Sequence, residues 1–415
     1  MDPKKTKMET IKLNERVPLS ELDARRERLV KMMDERCPDW ETILLVGRVN
    51  QLYFAGSMQD GVLVFRKDGG RKYFVRRSLE RAQDESLLPQ EEILPMGSYR
   101  HVAAGIGENA GITYMEKDVV TVSMLEMIQR NLKMSAVKPI EPIVARLRAV
   151  KSEWELQWLE LSGKLHHEFL TECVPGYLRE GMTECEFAGE IYRGALALGY
   201  QGVSRFAMFQ CDVGYGQYAF GESGLYPTCF NGPGGSSGMS AAIPFIGSRE
   251  IRLEAGQSVF ADMGFGVNGY HTDKTQVYFF RGSRPDARIP EEALAAHEKC
   301  RELQLAIAER MRPGEIPEQI YMEVMEGLSD DFLVNFQGFG ARSVKFLGHG
   351  IGLQIDEYPV FARGFTEPLE ENMLLAVEPK KGIAGFGTVG VEDTFLVTPS
   401  GGRCLTGGPR GIMEI

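Results

Sequence analysis

The sequence predicts an α+β protein with two domains. A chain of 415 residues is long for a single hydrophobic core, and its 43% hydrophobic and 25% charged residues are typical of a globular protein. The first part alternates short apolar runs with helix signals, whereas in the second part a helix pair followed by strands occurs twice. These observations predict an α/β N-terminal domain and a larger C-terminal domain with two similar helix–strand halves.

Helix and strand signals support the N-terminal domain. The run Ser20-Glu21-Leu22-Asp23 has the pattern of a capping box and predicts a helix that ends before Pro38. Gly69-Gly70 is typical of a hairpin turn between two strands. The short apolar runs that predict strands lie at 42–47, 61–65 and 73–75. We therefore expect one α/β unit up to about residue 145.

Prolines and a basic stretch mark the boundary between the domains. Pro139 and Pro142 come shortly before the basic stretch Arg146–Lys151. Beyond it, helix signals lie at the capping boxes 152–155 and 183–186 and from Pro313 to about Leu328. We therefore expect a flexible tail at 1–17, an N-terminal domain at 18–148 and a C-terminal domain at 149–415.

Charge and composition exclude several classes of partner. The net charge of -11 and the absence of a basic run argue against nucleic-acid binding. The sequence has no run of about 18 apolar residues, so we expect no transmembrane helix, and residues 1–5 lack the apolar stretch of a signal peptide. The seven scattered cysteines suit reduced thiols. We expect a cytoplasmic protein without a membrane partner.

Two acids lie in a predicted hairpin of the C-terminal domain. Asp262 interrupts the apolar run 259–265, and Asp273 lies just before the predicted strand 276–280. The glycines between them, Gly264, Gly266 and Gly269, predict a hairpin that places the two acids side by side. Adjacent buried carboxylates repel each other unless a proton or a cation lies between them.

Three further candidate ligands follow in strand-like, apolar surroundings. His349 lies among glycines, Glu378 ends an apolar run, and Glu392 lies within another. Carboxylate oxygens and an imidazole in such surroundings favour a divalent-metal site. Taken singly, each has a simpler interpretation: His349 as a loop histidine, and Glu392 as the partner of Lys380 or Lys381.

The five segments, in this order, resemble the pita-bread metallopeptidases, which include methionine aminopeptidase, Xaa-Pro aminopeptidase, prolidase and creatinase. The matching motifs are Asp262-Met263-Gly264, Asp273-Lys274-Thr275, Gly348-His349-Gly350-Ile351-Gly352, Glu378-Pro379 and Glu392-Asp393. In the first half, Leu52–Gly56 and Arg146–Ser152 resemble the Xaa-Pro branch. The resemblance implies a creatinase-like N-terminal domain and a pita-bread metal-binding catalytic domain.

The resemblance also implies a chemistry. Two divalent ions, with manganese expected before cobalt, zinc or iron, would be bound by Asp262, Asp273, His349, Glu378 and Glu392. A water bridging the ions would be the nucleophile, and Glu378 would take and return its proton. The implied protein is a metallopeptidase of the Xaa-Pro aminopeptidase or dipeptidase type that acts on small peptides as a homodimer.

Four positions depart from the family pattern. Phe245 and Asp356 stand where active members carry histidines that act on the substrate, and Gln276 and Gly390 stand where they carry arginines. Phe245 would make the substrate pocket more apolar, and Asp356 would attract a cationic group of the substrate or replace a catalytic acid or base. These departures leave open a metal-dependent hydrolase or lyase of a small polar metabolite and, less favoured because the ligands are retained, a non-catalytic binding protein.

Overall fold

A computed structural model describes residues 12–207, 211 and 214–415. The chain divides into two compact units, of which one is Asn14–Arg148 and the other contains Ala149–Ile415. Of the expected tail, residues 1–11 lie outside the described residues, whereas Val17 is buried. Within the described ranges, no helix is both long and apolar enough to cross a membrane.

The N-terminal unit is an α/β structure around a six-stranded sheet. Its strands are β1 (Thr42–Leu45), β2 (Gly61–Arg66), β3 (Gly70–Val75), β4 (Ile93–Pro95), β5 (Asn109–Met115) and β6 (Lys133–Pro139). The strand order is β4-β3-β2-β1-β5-β6, and β1 pairs antiparallel with β2 and parallel with β5. The helices are α1 (Leu19–Arg36), α2 (Arg48–Ala55), α3 (Leu79–Glu85), α4 (Tyr99–Ile106), α5 (Val122–Gln129) and α6 (Glu141–Ala149). The α/β prediction is confirmed.

The predicted capping box at Ser20 is wrong, although the helix it predicted exists. Helix α1 begins at Leu19 with Pro18 as its N-cap, and the cap residue makes no side-chain hydrogen bond. The carbonyl of Pro18 accepts hydrogen bonds from the backbone amides of Glu21 and Leu22, at 3.1 and 3.0 Å. Ser20 therefore lies inside the first turn, beyond the position from which a side chain caps the helix.

The C-terminal unit repeats a helix pair followed by strands, as predicted. The first half contains α7 (Glu153–Glu168), α8 (Glu184–Ala197), β7 (Gly216–Phe220), β8 (Gln257–Val267) and β9 (Tyr270–Phe280). The helices of the second half are α9 (Glu291–Arg310), α10 (Pro317–Glu326) and the short α11 (Asp330–Leu333). The capping boxes at Ser152 and Thr183 are both formed, each with its glutamate three residues later.

The second half continues with ten strands. They are β10 (Gly338–Phe339), β11 (Arg342–Ser343), β12 (Phe346–Gly350), β13 (Glu357–Ala362), β14 (Leu374–Val377), β15 (Lys380–Ile383), β16 (Gly387–Gly390), β17 (Asp393–Thr398), β18 (Gly401–Cys404) and β19 (Met413–Glu414). One sheet has the order β19-β9-β8-β7 and another the order β13-β12-β14-β17-β18, while β10-β11 and β15-β16 form two-stranded ribbons.

A hydrophobic core fixes the five-stranded sheet against the helices of the second half. Ile307 of α9 and Ile320 of α10 are buried in one cluster with Leu347, Leu375 and Phe395 from the strands. Burial of each such side chain contributes about 1.5–3 kcal/mol. The core therefore holds strands β12, β14 and β17 in place. These strands carry or adjoin three of the predicted metal ligands.

Candidate metal centre

The hairpin of β8 and β9 brings the first two acids onto one face. Its turn is Asn268-Gly269, and both residues have positive φ (51° and 93°), as a tight hairpin turn of this kind requires. In the register, Asp262 lies opposite Thr275 and Asp273 lies opposite Gly264. Because side chains two apart share a face, Asp262 and Asp273 are diagonal neighbours. The predicted hairpin is confirmed.

The five-stranded sheet supplies the other three side chains. His349 lies on β12, Glu378 directly follows β14, and Glu392 directly precedes β17. A bridge between Thr275 and Glu392, whose backbone N and O are 3.2 Å apart, joins this sheet to the hairpin. The glycine before His349 is required because a Cβ at Gly348 would lie 2.2 Å from the carbonyl oxygen of Ala376 on the neighbouring strand.

All five predicted ligands line one small cavity. Its volume is about 30 Å³, which is enough for a metal ion and about one water molecule. The remaining wall includes the apolar or aromatic side chains of Phe206, Tyr215, Phe230, Met263 and Ile355. Apolar surroundings of this kind strengthen electrostatic interactions between the charged groups of the cavity.

A lysine that the metal prediction did not include enters this cluster. The Lys380 ammonium lies 2.6 Å from Glu392 Oε2, 2.9 Å from Glu378 Oε2 and 3.0 Å from Asp262 Oδ2, and its side chain is fully buried. Burial alone would lower the pKa of Lys380, but the three carboxylates outweigh burial and raise it. Glu392 therefore forms the ion pair with Lys380, while its Oε1 lies 3.8 Å from His349 Nε2.

Burial and neighbouring charged groups shift the pKa values of the two hairpin acids, Asp262 and Asp273. Burial raises the pKa of Asp262 to about 6 against the opposing effect of Lys380. Burial, with Glu392 and Asp262, raises the pKa of Asp273 well above its usual range. The hydroxyl of Thr275 lies 2.9 Å from Asp262 Oδ1 and 3.1 Å from Glu392 Oε2, so it can donate its one hydrogen to either carboxylate.

His349 is surrounded by acids. Its Nε2 lies 3.4 Å from Glu378 Oε1 and 3.8 Å from Glu392 Oε1. Although burial lowers the pKa of His349, the hydrogen bond to Glu378 and the charges of the acids raise it to about 10. A metal ion at this nitrogen must therefore displace a strongly held proton.

The donor set fits a divalent ion at one position. Asp273, His349 and Glu392 each offer one ligand atom, and these atoms lie within 4.8 Å of one another. Two carboxylate oxygens and an imidazole suit manganese, iron, cobalt or zinc. Asp262 and Glu378 each direct one oxygen at the ammonium of Lys380, as Glu392 does with its Oε2.

A second buried ion pair lies directly beside the ligands. The ammonium of Lys274, next to Asp273 in sequence, is 2.5 Å from Asp393 Oδ1, next to Glu392. Both side chains are almost completely buried, and the hydroxyl of Thr406 donates to the same oxygen at 2.7 Å. The pair ties β9 to β17. Sequence reasoning missed this pair, although a lysine inside an apolar strand signals a buried partner.

None of the four positions that depart from the family pattern belongs to the described lining of the cavity. Among the residues that the structure describes, the cavity lining includes neither Phe245 nor Asp356. Phe245 is buried, and burial raises the pKa of Asp356, whose Oδ1 accepts a hydrogen bond from the Ala207 amide at 2.7 Å. Gln276 donates to the carbonyls of Val277 and Gly411, and the amide of Gly390 donates to His297 Nδ1.

An α/β unit followed by a duplicated helix–strand unit with an acid-and-histidine cavity defines the class of pita-bread metallohydrolases. A sequence profile of metallopeptidase family M24 matches residues 157–399, which is more than half of the chain. A profile of the creatinase/prolidase N-terminal domain matches residues 25–150. The chain therefore belongs to metallopeptidase family M24 and is a hydrolase of this family, which confirms the resemblance seen in the sequence.

Individual relatives cover between 70% and 97% of the chain. The Xaa-Pro dipeptidase of Pyrococcus furiosus is 24% identical over 391 residues, which are 94% of this chain and 99% of the relative. The Xaa-Pro dipeptidase of Lactobacillus helveticus is 26% identical over 294 residues, 70% of this chain and 69% of the relative. The dipeptidase PepE structure from Mycobacterium ulcerans has a TM-score of 0.77 at 21% identity and covers 97% of this chain and 100% of its own. The last likeness is one of fold.

Proposed function

We propose that the protein is a divalent-metal-dependent dipeptidase or aminopeptidase that hydrolyses Xaa-Pro peptides, with manganese as its metal. One observation carries the proposal: Asp262, Asp273, His349, Glu378 and Glu392, which lie far apart in the sequence, line a single cavity. Family membership and the Xaa-Pro dipeptidases among the relatives support the choice of peptide substrate. Oxygen ligands with a single imidazole suit manganese.

The side chains of the cavity would have different roles, either in binding the metal ion or in transferring a proton. When bound, a divalent ion would polarise the scissile carbonyl and make a water more acidic. Asp273, His349 and Glu392 would hold the ion, since their ligand atoms already lie together. Glu378, beside them, would take and return the proton, and Lys380 and His349 hold its two oxygens in place at 2.9 and 3.4 Å.

A peptide panel tests this function. The purified chain, loaded in turn with manganese, cobalt and zinc, is assayed on Xaa-Pro dipeptides, longer Xaa-Pro peptides and matched Xaa-Ala peptides. We expect cleavage at Xaa-Pro bonds, and a loss of at least about 100-fold in kcat for Glu378→Gln. Glu371→Gln, an exposed glutamate shortly before β14, is the matched control and should keep full activity. A metal-loaded protein that cleaves none of these peptides contradicts the proposal.

We also propose that the protein works in the cytoplasm as a homodimer. The seven cysteines, all in the described part of the chain, form no disulfide bond with one another, which suits a reducing compartment. The homodimer is proposed from the resemblance to the Xaa-Pro branch. Light scattering of the purified chain should give twice the mass of one chain, and the mass of a single chain would contradict the dimer.

A further inference from the structure

The ammonium of Lys380 lies where an ion bound by the same carboxylates would lie. Its Nζ is 2.6–3.0 Å from one oxygen each of Glu392, Glu378 and Asp262. A small divalent ion lies about 2.0–2.2 Å from each oxygen that binds it. The two positions overlap, so an ion and this ammonium exclude each other at these three oxygens.

The backbone fixes Lys380 in this place. Its amide donates to Gln337 Oε1 at 2.8 Å, and its carbonyl accepts from the Gln337 amide at 2.8 Å. Across the ribbon it pairs with Gly390, where a Cβ would lie 2.6 Å from the Lys380 Cα. The missing side chain at Gly390 thus permits the close approach of the two strands. The main chain of Lys380 is thus fixed, and its fully buried side chain places the ammonium against three carboxylates that line the cavity.

On the other side of the cavity, three residues still offer a complete set of metal-ligand atoms. Glu392 gives its Oε2 to Lys380, whereas its Oε1 lies 3.8 Å from His349 Nε2. Together with Asp273, these two residues form the group whose ligand atoms lie within 4.8 Å of one another. Glu392 therefore lies between two cation positions, one occupied by an ammonium and one suited to a metal.

We propose that Lys380 is the second cation of the centre, so that each chain binds one divalent ion, held by Asp273, His349 and Glu392. The inference takes metal dependence from the proposed function and changes the number of ions from the two that the resemblance implies to one. An ammonium carries one positive charge and accepts no electron pair from a carbonyl. Asp262 and one oxygen of Glu378 therefore hold the ammonium, and the single ion is left to bind the substrate carbonyl.

The number of ions bound to the unaltered protein is the first test. The chain is freed of metal with a chelator, saturated with Mn²⁺ and separated from free metal, and its manganese is measured by mass spectrometry. We expect one ion per chain, with the electron paramagnetic resonance spectrum of an isolated Mn²⁺. Two ions with an exchange-coupled spectrum, or no bound ion, would overturn the inference.

Removal of the ammonium is the second test. Lys380→Met frees three carboxylate oxygens, and we expect the variant to bind a second Mn²⁺ per chain. Lys381→Met is the matched control, because the Lys381 ammonium donates to the backbone carbonyls of Phe332 and Val334 outside the cavity. The control should still bind one ion. A single ion in Lys380→Met would contradict the inference.

Two variants keep Lys380 and so remain informative if Lys380→Met does not fold. Asp273→Asn removes a proposed metal ligand and should raise the Kd for Mn²⁺ at least about tenfold. Asp262→Asn removes a partner of the ammonium rather than a proposed ligand, and should raise the Kd less than Asp273→Asn does. A two-ion centre would lose affinity in both, so equal losses count against the inference.

Hydrolysis measured on the same samples separates this inference from the proposed function. One bound ion together with Xaa-Pro cleavage supports both. One bound ion without cleavage of any peptide supports the role of Lys380 and contradicts the peptidase. Two bound ions with cleavage support the peptidase and contradict the role of Lys380.

Discussion

Two buried lysines of the C-terminal unit differ in what surrounds their ammonium groups. Lys274 contacts one carboxylate, that of Asp393 at 2.5 Å, and the carbonyl of Gly408 at 3.3 Å. Lys380 contacts three carboxylates. The first is a neutral pair, whereas around the second the negative charge exceeds the positive charge. Only the Lys380 cluster therefore has excess negative charge that a further cation could neutralise.

The spacing of each lysine from a ligand explains the difference. Lys274 directly follows Asp273 on β9, and because adjacent residues of a strand point to opposite faces, its side chain lies behind the ligand. Lys380 is two residues after Glu378, a spacing that returns a side chain to the same face of an extended chain. A lysine one residue after a ligand thus forms a supporting ion pair behind the site, whereas a lysine two residues after a ligand places its ammonium inside the site.

The largest expected effect is the loss of the supporting pair. Lys274→Met leaves the fully buried Asp393 without its cation, and we expect the free energy of unfolding to fall by about 3–5 kcal/mol. Urea denaturation measures it. Because the pair lies outside the cavity, saturating Mn²⁺ should leave the difference from the unaltered protein unchanged.

A double variant controls for the loss of packing. Lys274→Met combined with Asp393→Leu replaces both charges by apolar groups and should recover most of the stability. If the single variant is as stable as the unaltered protein, the pair does not support the ligand strands.

A smaller and metal-dependent effect is expected at the second lysine. In the absence of metal, Lys380→Met leaves three carboxylates that must take up protons or repel one another, at a cost of about 1–3 kcal/mol in the free energy of unfolding. Saturating Mn²⁺ should remove this difference, since a second ion takes the place of the ammonium. A difference that stays constant with and without Mn²⁺ would show that both lysines are structural in the same way.

Lys274 also affects a neighbouring histidine. His166 is fully buried, stacks on Phe265 with ring centroids 5.5 Å apart, and has its Nδ1 3.2 Å from Thr272 Oγ1. Burial, with the charges of Lys274 and His167, lowers the pKa of His166 well below its ordinary value. The folded protein therefore keeps this imidazole neutral at a pH where the unfolded chain protonates it.

The sign of the pH effect follows. The contribution of His166 to stability should decrease as the pH falls below about 6.5, because there the unfolded chain binds a proton at this residue that the folded protein does not, at a cost of about 1.4 kcal/mol by pH 5.5. The raised pKa values of Asp262 and Asp273 act in the opposite direction, so the test is a difference between two proteins. Between pH 7.5 and pH 5.5, denaturation curves should show the unaltered protein losing stability relative to His166→Gln. An identical change in both would show that other groups cause it.

Much of the site could be predicted because each ligand interrupts a local apolar pattern. Asp262 within an apolar run and the glycines that follow it, Gly264, Gly266 and Gly269, are signals carried by neighbouring residues, and the structure forms the predicted hairpin. The three-carboxylate environment of Lys380 could not be predicted in the same way, because Asp262 comes from another sheet. The error at Ser20 has a local cause, since Pro18 starts the helix before it.

The smallest expected effect concerns Asp356, an acid near the cavity whose hydrogen bond is to a backbone amide. Its Oδ1 accepts from the Ala207 amide, and the neighbouring Ile355 amide donates to the Arg205 carbonyl, both at 2.7 Å. These two bonds position Phe206 in the cavity wall.

An asparagine keeps the accepting oxygen of Asp356 and removes its charge. If the carboxyl positions the chain, Asp356→Asn should keep kcat/KM for an Xaa-Pro dipeptide within about threefold, while Asp356→Ala should lose more. A loss of about 100-fold in kcat for Asp356→Asn would instead identify the carboxyl as a catalytic acid or base in place of the family's histidine. The site would then contain a charged catalytic group, Asp356, that pairs with neither Lys274 nor Lys380. The difference between these two lysines would no longer explain all of the site's chemistry.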